Sequence, residues 1–377
     1  MLRSCRTFGA AWGSACKQKA LSLNAQHFVQ VLSKQEGGEA KHLFLAKRNF
    51  FLESAKIIIP HPAKVKKGGE DAAFCGTKYL AVADGVGGWD TAGVDAGLYS
   101  REILERVQQA LREHATRSRF TPSPLEILKQ AYNKTQAIGS STVCLVFLDE
   151  YARTARCANL GDSGFILYRS KDDEVVARSE PQCHDFNFPL QLGTGSSDLP
   201  EHADAYEVPV KCGDFLLLAT DGVWDNLYEE DCCAVLRQAQ SVQEAAENVA
   251  RMAFEMSLDP KRKSPFAEKE RASSTGGRQL AASSSSTPGS SHMGGGTGGK
   301  PDDIAVVVAK VRDPWQMPRS SVPPSVAKAL GLDGEREAVE AIRLQRQEER
   351  RERRRRKKKE GSVNAGEEEK EKDAENI

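Results

Sequence analysis

Short apolar runs alternate with stretches of helical periodicity between Ile57 and Arg312. The runs at 79–83, 142–148, 155–160, 165–168, 174–177, 215–219 and 304–311 are rich in Val, Leu and Ile and stop at Gly or Asp. That is the pattern of buried strands. A period near 3.6 predicts helices over about 98–113, 124–138 and 229–258, the last broken near Ser241. Strands come in consecutive groups, with helices in pairs between them. The order predicts an α+β domain of antiparallel sheets with helices packed outside, not a βαβ repeat.

The flanks and one internal stretch depart from this pattern. Residues 1–45 read as a targeting segment and spacer, 46–315 as the folded domain, and 316–377 as a charged tail. A Ser/Gly-rich insertion at about 265–298, with Ser283–Ser286 and Gly294–Gly299 at its heart, has too little apolar content for a core. The tail holds an Arg/Glu/Lys-rich stretch with helical charge pairing around 335–351, then seven consecutive basic residues, Arg353–Lys359, then an acidic end. The basic run carries no nucleic-acid-binding fold with it, so nucleic acid is not an expected partner.

Composition changes the picture in four ways. Apolar residues make up 39% and charged residues 28%, which fits a core diluted by polar segments. No apolar run exceeds six residues, whereas a membrane-spanning helix needs ~20, so a soluble protein is expected. Nine cysteines form an odd, scattered set without a Cys-x-x-Cys pair. Neither a disulfide framework nor a zinc site is indicated, and a reducing compartment is expected. The first 35 residues hold five basic side chains and no acidic one, without the apolar core of a secretory signal. They look like an organelle transit peptide and predict the mitochondrial matrix, with nucleus or cytoplasm as the alternative.

The informative chemistry lies where the apolar runs end. The run 79–83 leads into Asp84-Gly85, 215–219 into Thr220-Asp221-Gly222, and Ala158-Asn159-Leu160-Gly161 into Asp162. Gly299-Lys300-Pro301-Asp302-Asp303 leads into the run at 304. One such aspartate is usually only a turn. Four at the ends of buried strands are costly unless paired or metal-bound. If those ends meet, they make a cage of hard oxygens suited to Mg²⁺ or Mn²⁺ rather than zinc or copper. Glycine after the aspartate lets the backbone approach, so the Gly85 carbonyl is a further candidate ligand.

Taken in order, Gly69-Glu70-Asp71, Ala83-Asp84-Gly85-Val86-Gly87-Gly88, Gly139-Ser140-Ser141-Thr142, Asn159-Leu160-Gly161-Asp162-Ser163, Ala219-Thr220-Asp221-Gly222 and Asp302-Asp303-Ile304 resemble the motifs of type 2C metal-dependent protein phosphatases. Ala-Asp-Gly-Val-Gly-Gly-Trp and Gly-Lys-Pro-Asp-Asp-Ile are similar to the mitochondrial T-cell-activation branch of that family. The resemblance covers about residues 57–312. It implies two antiparallel sheets sandwiched between helices, and hydrolysis of phosphoserine and phosphothreonine in proteins by a monomer. It also implies two Mg²⁺ or Mn²⁺ ions, with Asp84 bridging them and Gly85, Asp221 and Asp302 completing the cage. Glu70 and Asp71 correspond to supporting acids, and Asp162 to a residue tied to a weaker third ion. Asp302 rather than Asp303 matches the ligand of the family's pair.

Two departures matter. Many relatives carry a proton-donating histidine where this chain has Val86, and His61 is the candidate replacement or else an ordinary loop histidine. Relatives bind phosphate with an arginine about five residues before the acid matched by Asp71. Here Lys66 stands there, which offers a point charge without the bidentate fork, or is part of a solvated basic loop. No Cys-x₅-Arg loop occurs, so a cysteine-phosphatase mechanism is unsupported. The alternative to an active enzyme is a phosphatase-like scaffold that binds partners through its charged tail.

Overall fold

The computed structural model describes residues 50–276 and 297–329. The expected targeting segment, the Ser/Gly-rich stretch 277–296 and the charged tail beyond 329 lie outside the described residues.

The sheet strands in chain order are β1 (Phe51–Ile59), β2 (Ala72–Cys75), β3 (Tyr79–Ala83), β4 (Val143–Asp149) and β5 (Thr154–Leu160). They continue with β6 (Gly164–Arg169), β7 (Glu174–Arg178), β8 (Asp204–Pro209), β9 (Phe215–Ala219) and β10 (Ile304–Arg312). One sheet has the order β1-β10-β9-β6-β7 and the other β8-β5-β4-β3-β2. All of these pairings are antiparallel.

Period-two alternation explains the layers. Leu216 and Leu218 of β9, with Ala305, Val307, Ala309 and Val311 of β10, enter a core between the sheets that also holds Leu80, Val82, Cys144 and Val146. Leu217, Val306 and Val308 face the opposite way, against helices α4 (Glu229–Gln238) and α5 (Val242–Ser257). Helices α1 (Ala96–Arg117) and α2 (Pro124–Tyr132) cover the outer face of the second sheet through Ile103, Val107, Ile127 and Leu128. The central strands read as unbroken apolar runs because both their faces are buried. The expected sandwich of two antiparallel sheets between helices is what the chain forms.

Differences from expectation have local causes. Strand β1 begins at Phe51, and Glu53, Ser54 and Lys56 hide it from a search for apolar runs. Glu53 pairs with Arg312, and Lys56 donates to the Ala73 carbonyl at 2.7 Å. Helix α2 stops at Tyr132 rather than near 138, because the Glu102 carboxylate takes the N–H groups of Gln136 and Ala137, at 3.1 and 2.7 Å. Helix α6 (Pro265–Gly276) forms in what reads as insertion sequence. Its Ala267 is buried, and the Phe266 ring lies 5.4 Å from that of Phe186. Past 315, α7 (Pro324–Ala329) packs Ala327 against Val322. Among the described residues no helix is long and apolar enough to cross a membrane.

Strand direction gathers the acids. Strands β3 and β5 are both antiparallel to β4, so Asp84 and Asp162 leave the second sheet at the same end. Glu70 and Asp71 enter antiparallel β2 there. In the first sheet Asp221 leaves β9 where Asp302 enters antiparallel β10. The β5–β6 connection carrying Asp162 joins that end of the first sheet.

Candidate metal centre

Asp84, Gly85, Val86, Asp162, Asp221 and Asp302 line one cleft of about 630 Å³. A second cleft of similar volume adjoins it beneath α6, sharing Asp162 and Asn187, but its walls are Trp224, Phe186 and Phe266, and it lacks Asp84, Asp221 and Asp302. The carboxylates that suit a hard cation line the first.

Asp221 opens the short helix α3 (Asp221–Trp224), directly after β9. Asp84 follows β3; its N–H donates to Thr142 Oγ1 at 3.3 Å and its carbonyl accepts from Thr142 N at 2.9 Å. The Asp84 carboxyl lies near enough to Asp221 for the two charges to act on each other. Gly85 is required on steric grounds, since a Cβ there would stand 2.8 Å from the carbonyl oxygens of both Ala96 and Glu70. Asp71 sits behind the cleft. One of its oxygens accepts from Thr220 Oγ1 at 2.7 Å, and that hydroxyl also accepts from Ala305 N at 2.9 Å. Thr220 therefore ties Asp71 to the ends of β9 and β10.

Asp302 and Asp303 diverge. Asp302 faces the cleft, whereas the Asp303 oxygens accept from His61 N at 2.7 Å, Glu70 N at 3.2 Å and Lys64 Nζ at 3.1 Å. Asp303 thereby shapes the loop 61–70. A Cβ on Gly69, whose φ is +78°, would lie 2.5 Å from Asp303 Oδ1.

The electrostatics are those of crowded acid. Burial, then the charges of Asp221, Asp71 and Asp302, pushes the Asp84 carboxyl well up. Burial chiefly raises Asp71 too, against the Thr220 hydrogen bond. Burial and the nearby Asp221 push Asp162 to about 8 and Asp302 to about 7. For Asp221 burial also pushes upward, but the Lys300 ammonium overrides it and holds the carboxyl below its usual range. Glu70 Oε1, Asp71 Oδ1 and Asp162 Oδ1 are buried without a hydrogen-bond partner. Carboxylate oxygens buried without a partner fit a hard divalent cation. Among the described residues no three acidic, His or Cys side chains are already drawn together as a finished cage. Two ammonium groups stand among the acids instead: Lys64 on Glu70 and Asp303, and Lys300 on Asp221, Asp225 and Asp302.

Two expected residues fall elsewhere. Lys66 is exposed on the turn and does not line the cleft; Lys64, two residues earlier, does. The His61 ring accepts from Ala63 N at 3.1 Å and is not among the cleft residues. Lys300 and Asp225 escape the sequence reading, although Asp225 lies four residues after Asp221, one helical turn on. The Gly-Lys-Pro-Asp-Asp-Ile motif contains Lys300 but does not mark its role, because its position depends on Asn226.

A human protein, "Protein phosphatase PTC7 homolog", is 39% identical over 230 residues, covering 54% of this chain and 74% of that protein. The chain belongs to the type 2C protein phosphatase family. An Arabidopsis thaliana member, "Probable protein phosphatase 2C 80", is 40% identical over 223 residues, 57% of this chain. The chain spans about half the length of that relative, 52%. The Stage II sporulation protein E (SpoIIE) family matches residues 76–262, which takes in Asp84, Asp162 and Asp221. Among solved phosphatases, the photosystem II phosphatase PBCP superposes with a TM-score of 0.61 at 30% identity, covering 70% of this chain and 99% of that one.

Proposed function

We propose that this chain is a protein serine/threonine phosphatase working with two Mg²⁺ or Mn²⁺ ions. The observation that carries the reading is the convergence of Asp84, Asp221, Asp302 and Asp162, from strand ends of both sheets, on one cleft. Asp84, the Gly85 carbonyl, Asp221 and Asp302 would hold the ions, with Glu70, Asp71 and Asp162 in support. When bound, the ions lower the pKa of water and neutralise charge developing on the phosphoryl oxygens.

The chain's own groups do the rest. Thr220 and Thr142 hold the acids in place through hydrogen bonds to Asp71 and the Asp84 backbone. Lys64 presents positive charge at the cleft and takes the phosphate-holding role assigned from sequence to Lys66. Burial alone would lower its ammonium, but Glu70 and Asp303 beside it hold it up, so it stays charged. Trp89 forms a wall, fixed by its indole N–H donating to Ser140 Oγ at 2.7 Å. Val86 has no proton to give the leaving oxygen. Phosphorylated proteins are the substrates this reading calls for.

Hydrolysis of a phosphoserine peptide and of p-nitrophenyl phosphate, with Mn²⁺ and with chelator, tests the proposal. Metal-dependent release of phosphate from both is expected. No release from either with the full chain in Mn²⁺ overturns it in favour of a scaffold.

A further inference from the structure

We infer that Lys300 is a built-in counter-cation of the carboxylate cage, competing with the divalent ion for Asp221 and Asp302. The inference rests on the metal-site reading above. The ammonium of Lys300 donates to Asp221, lies 2.9 Å from Asp225 Oδ2, and lies 3.2 Å from Asp302 Oδ2. A loop lysine before a strand ordinarily extends into water; only 18% of this side chain is exposed.

Its placement is built rather than incidental. The fully buried Asn226 side chain grips the Lys300 backbone on both sides, accepting from its N–H at 2.8 Å and donating to its carbonyl at 2.9 Å. The same Asn226 amide donates to the Gly222 carbonyl at 2.9 Å, next to Asp221. One asparagine thus locks the lysine to the element that carries the central acid. The Phe266 ring lies 5.3 Å from the ammonium, within cation–π range.

Two of the three acids that hold Lys300 are expected metal ligands. An ammonium and a divalent ion cannot share the same Asp221 and Asp302 oxygens, because each needs the lone pairs and like charges repel. Lys300 therefore steadies the acid cluster when no ion is bound, and it must withdraw from Asp221 and Asp302 when one arrives. The cost is weaker metal binding; the gain is a cage that stays assembled between loadings.

The test is Mn²⁺ titration by calorimetry of the full chain and its K300M variant, with melting in chelator as the companion. Mn²⁺ should bind K300M at least tenfold more tightly, and K300M should melt lower in chelator. A K300M chain that folds only with Mn²⁺ present is the extreme of that outcome; one that fails to fold even in Mn²⁺ overturns the inference. Amine labelling of the natural chain, read by peptide mass spectrometry, needs no variant: Lys300 should label faster in Mn²⁺ than in chelator. Unchanged or weaker Mn²⁺ binding by K300M, or unchanged labelling, overturns the role of Lys300. An Asp221→Asn chain separates the two levels. If it binds Mn²⁺ like the natural chain, the cage reading itself fails; if it loses binding while K300M is unaltered, only the inference about Lys300 fails.

Discussion

Gly222 and Asp303 stand back to back: a Cβ on Gly222 would lie 2.0 Å from the Asp303 carbonyl oxygen. This contact sets the spacing between the loop that carries Asp221 and the loop that carries Asp302. Helix propensity alone favours alanine at Gly222 by about 1 kcal/mol. Overpacking against backbone that cannot yield costs ~1–3 kcal/mol or more, and here it wins. Gly222→Ala should therefore lower the melting temperature by about 4 °C or more and weaken Mn²⁺ binding. Calorimetry and thermal denaturation check both.

Replacing Asp84 or Asp221 with Asn should abolish Mn²⁺-dependent turnover and leave the fold intact. A neutral amide is a poor ligand for a hard cation, yet it matches the carboxylate in shape. In chelator the Asp84→Asn chain should melt higher than the natural one, since it removes a charge from a crowded acid cluster. Turnover at the natural rate in saturating Mn²⁺ would refute the assignment.

The acid cluster also sets a pH dependence in chelator. Asp302 and Asp162 stand at about 7 and 8 in the folded chain, against about 3.9 for a free aspartate. Between those limits the folded state binds more protons than the unfolded state, so the stability contribution is full at low pH and is lost as pH rises. Asp221 is shifted the other way, and its window lies below pH 4. The melting temperature in chelator should fall from pH 5 to pH 8, and saturating Mn²⁺ should flatten that slope. Equal slopes with and without Mn²⁺ would show that these acids do not meet the ion.

Much of this is legible in the chain itself. Strands β9 and β10 announce themselves because both faces are buried, and the aspartates at their ends stand out against them. Edge strands β2 and β8 do not, since β2 has only four residues and four of the six in β8 are exposed. Helix α6 is hidden by its polar surface; Ala267, Phe266 and the Lys269–Asp225 pair anchor it. Lys64 and Lys66 are indistinguishable as letters, and only the turn at 62–68 decides which one reaches the acids. The place of Lys300 depends on a hydrogen-bonded asparagine 74 residues away, a relation that no local pattern encodes.

Helix α6 divides the Ser/Gly-rich insertion into unlike parts. Deleting 277–296 should leave turnover on a small substrate within a factor of a few, because Ser and Gly bury little. Extending the deletion through 265–276 removes buried Ala267, the Phe266–Phe186 contact and the Lys269–Asp225 pair at 3.5 Å. That longer deletion should lower the melting temperature by several degrees, as loss of packed aromatic and aliphatic surface does. Differential scanning calorimetry of the two chains distinguishes the parts, and equal melting temperatures would mean that α6 contributes nothing to stability.

Val86 offers the most specific test of the chemistry. It lines the cleft two residues after Asp84, where many relatives carry a proton donor, and a valine cannot donate. The His61 ring is engaged with Ala63 N and lies outside the cleft lining, so it does not fill the gap. A serine alkoxide is a poor leaving group that needs a proton, whereas p-nitrophenolate departs without one. Proton donation by a placed side chain is typically worth ~10²–10⁴-fold, and that benefit applies only to the poor leaving group. Val86→His should therefore speed dephosphorylation of a phosphoserine peptide about tenfold or more while leaving p-nitrophenyl phosphate hydrolysis nearly unchanged. His61→Ala should change both substrates in equal proportion. If Val86→His alters both rates alike, proton transfer does not limit this reaction. If His61→Ala selectively slows the peptide, the loop carrying His61 must reach the leaving oxygen during turnover.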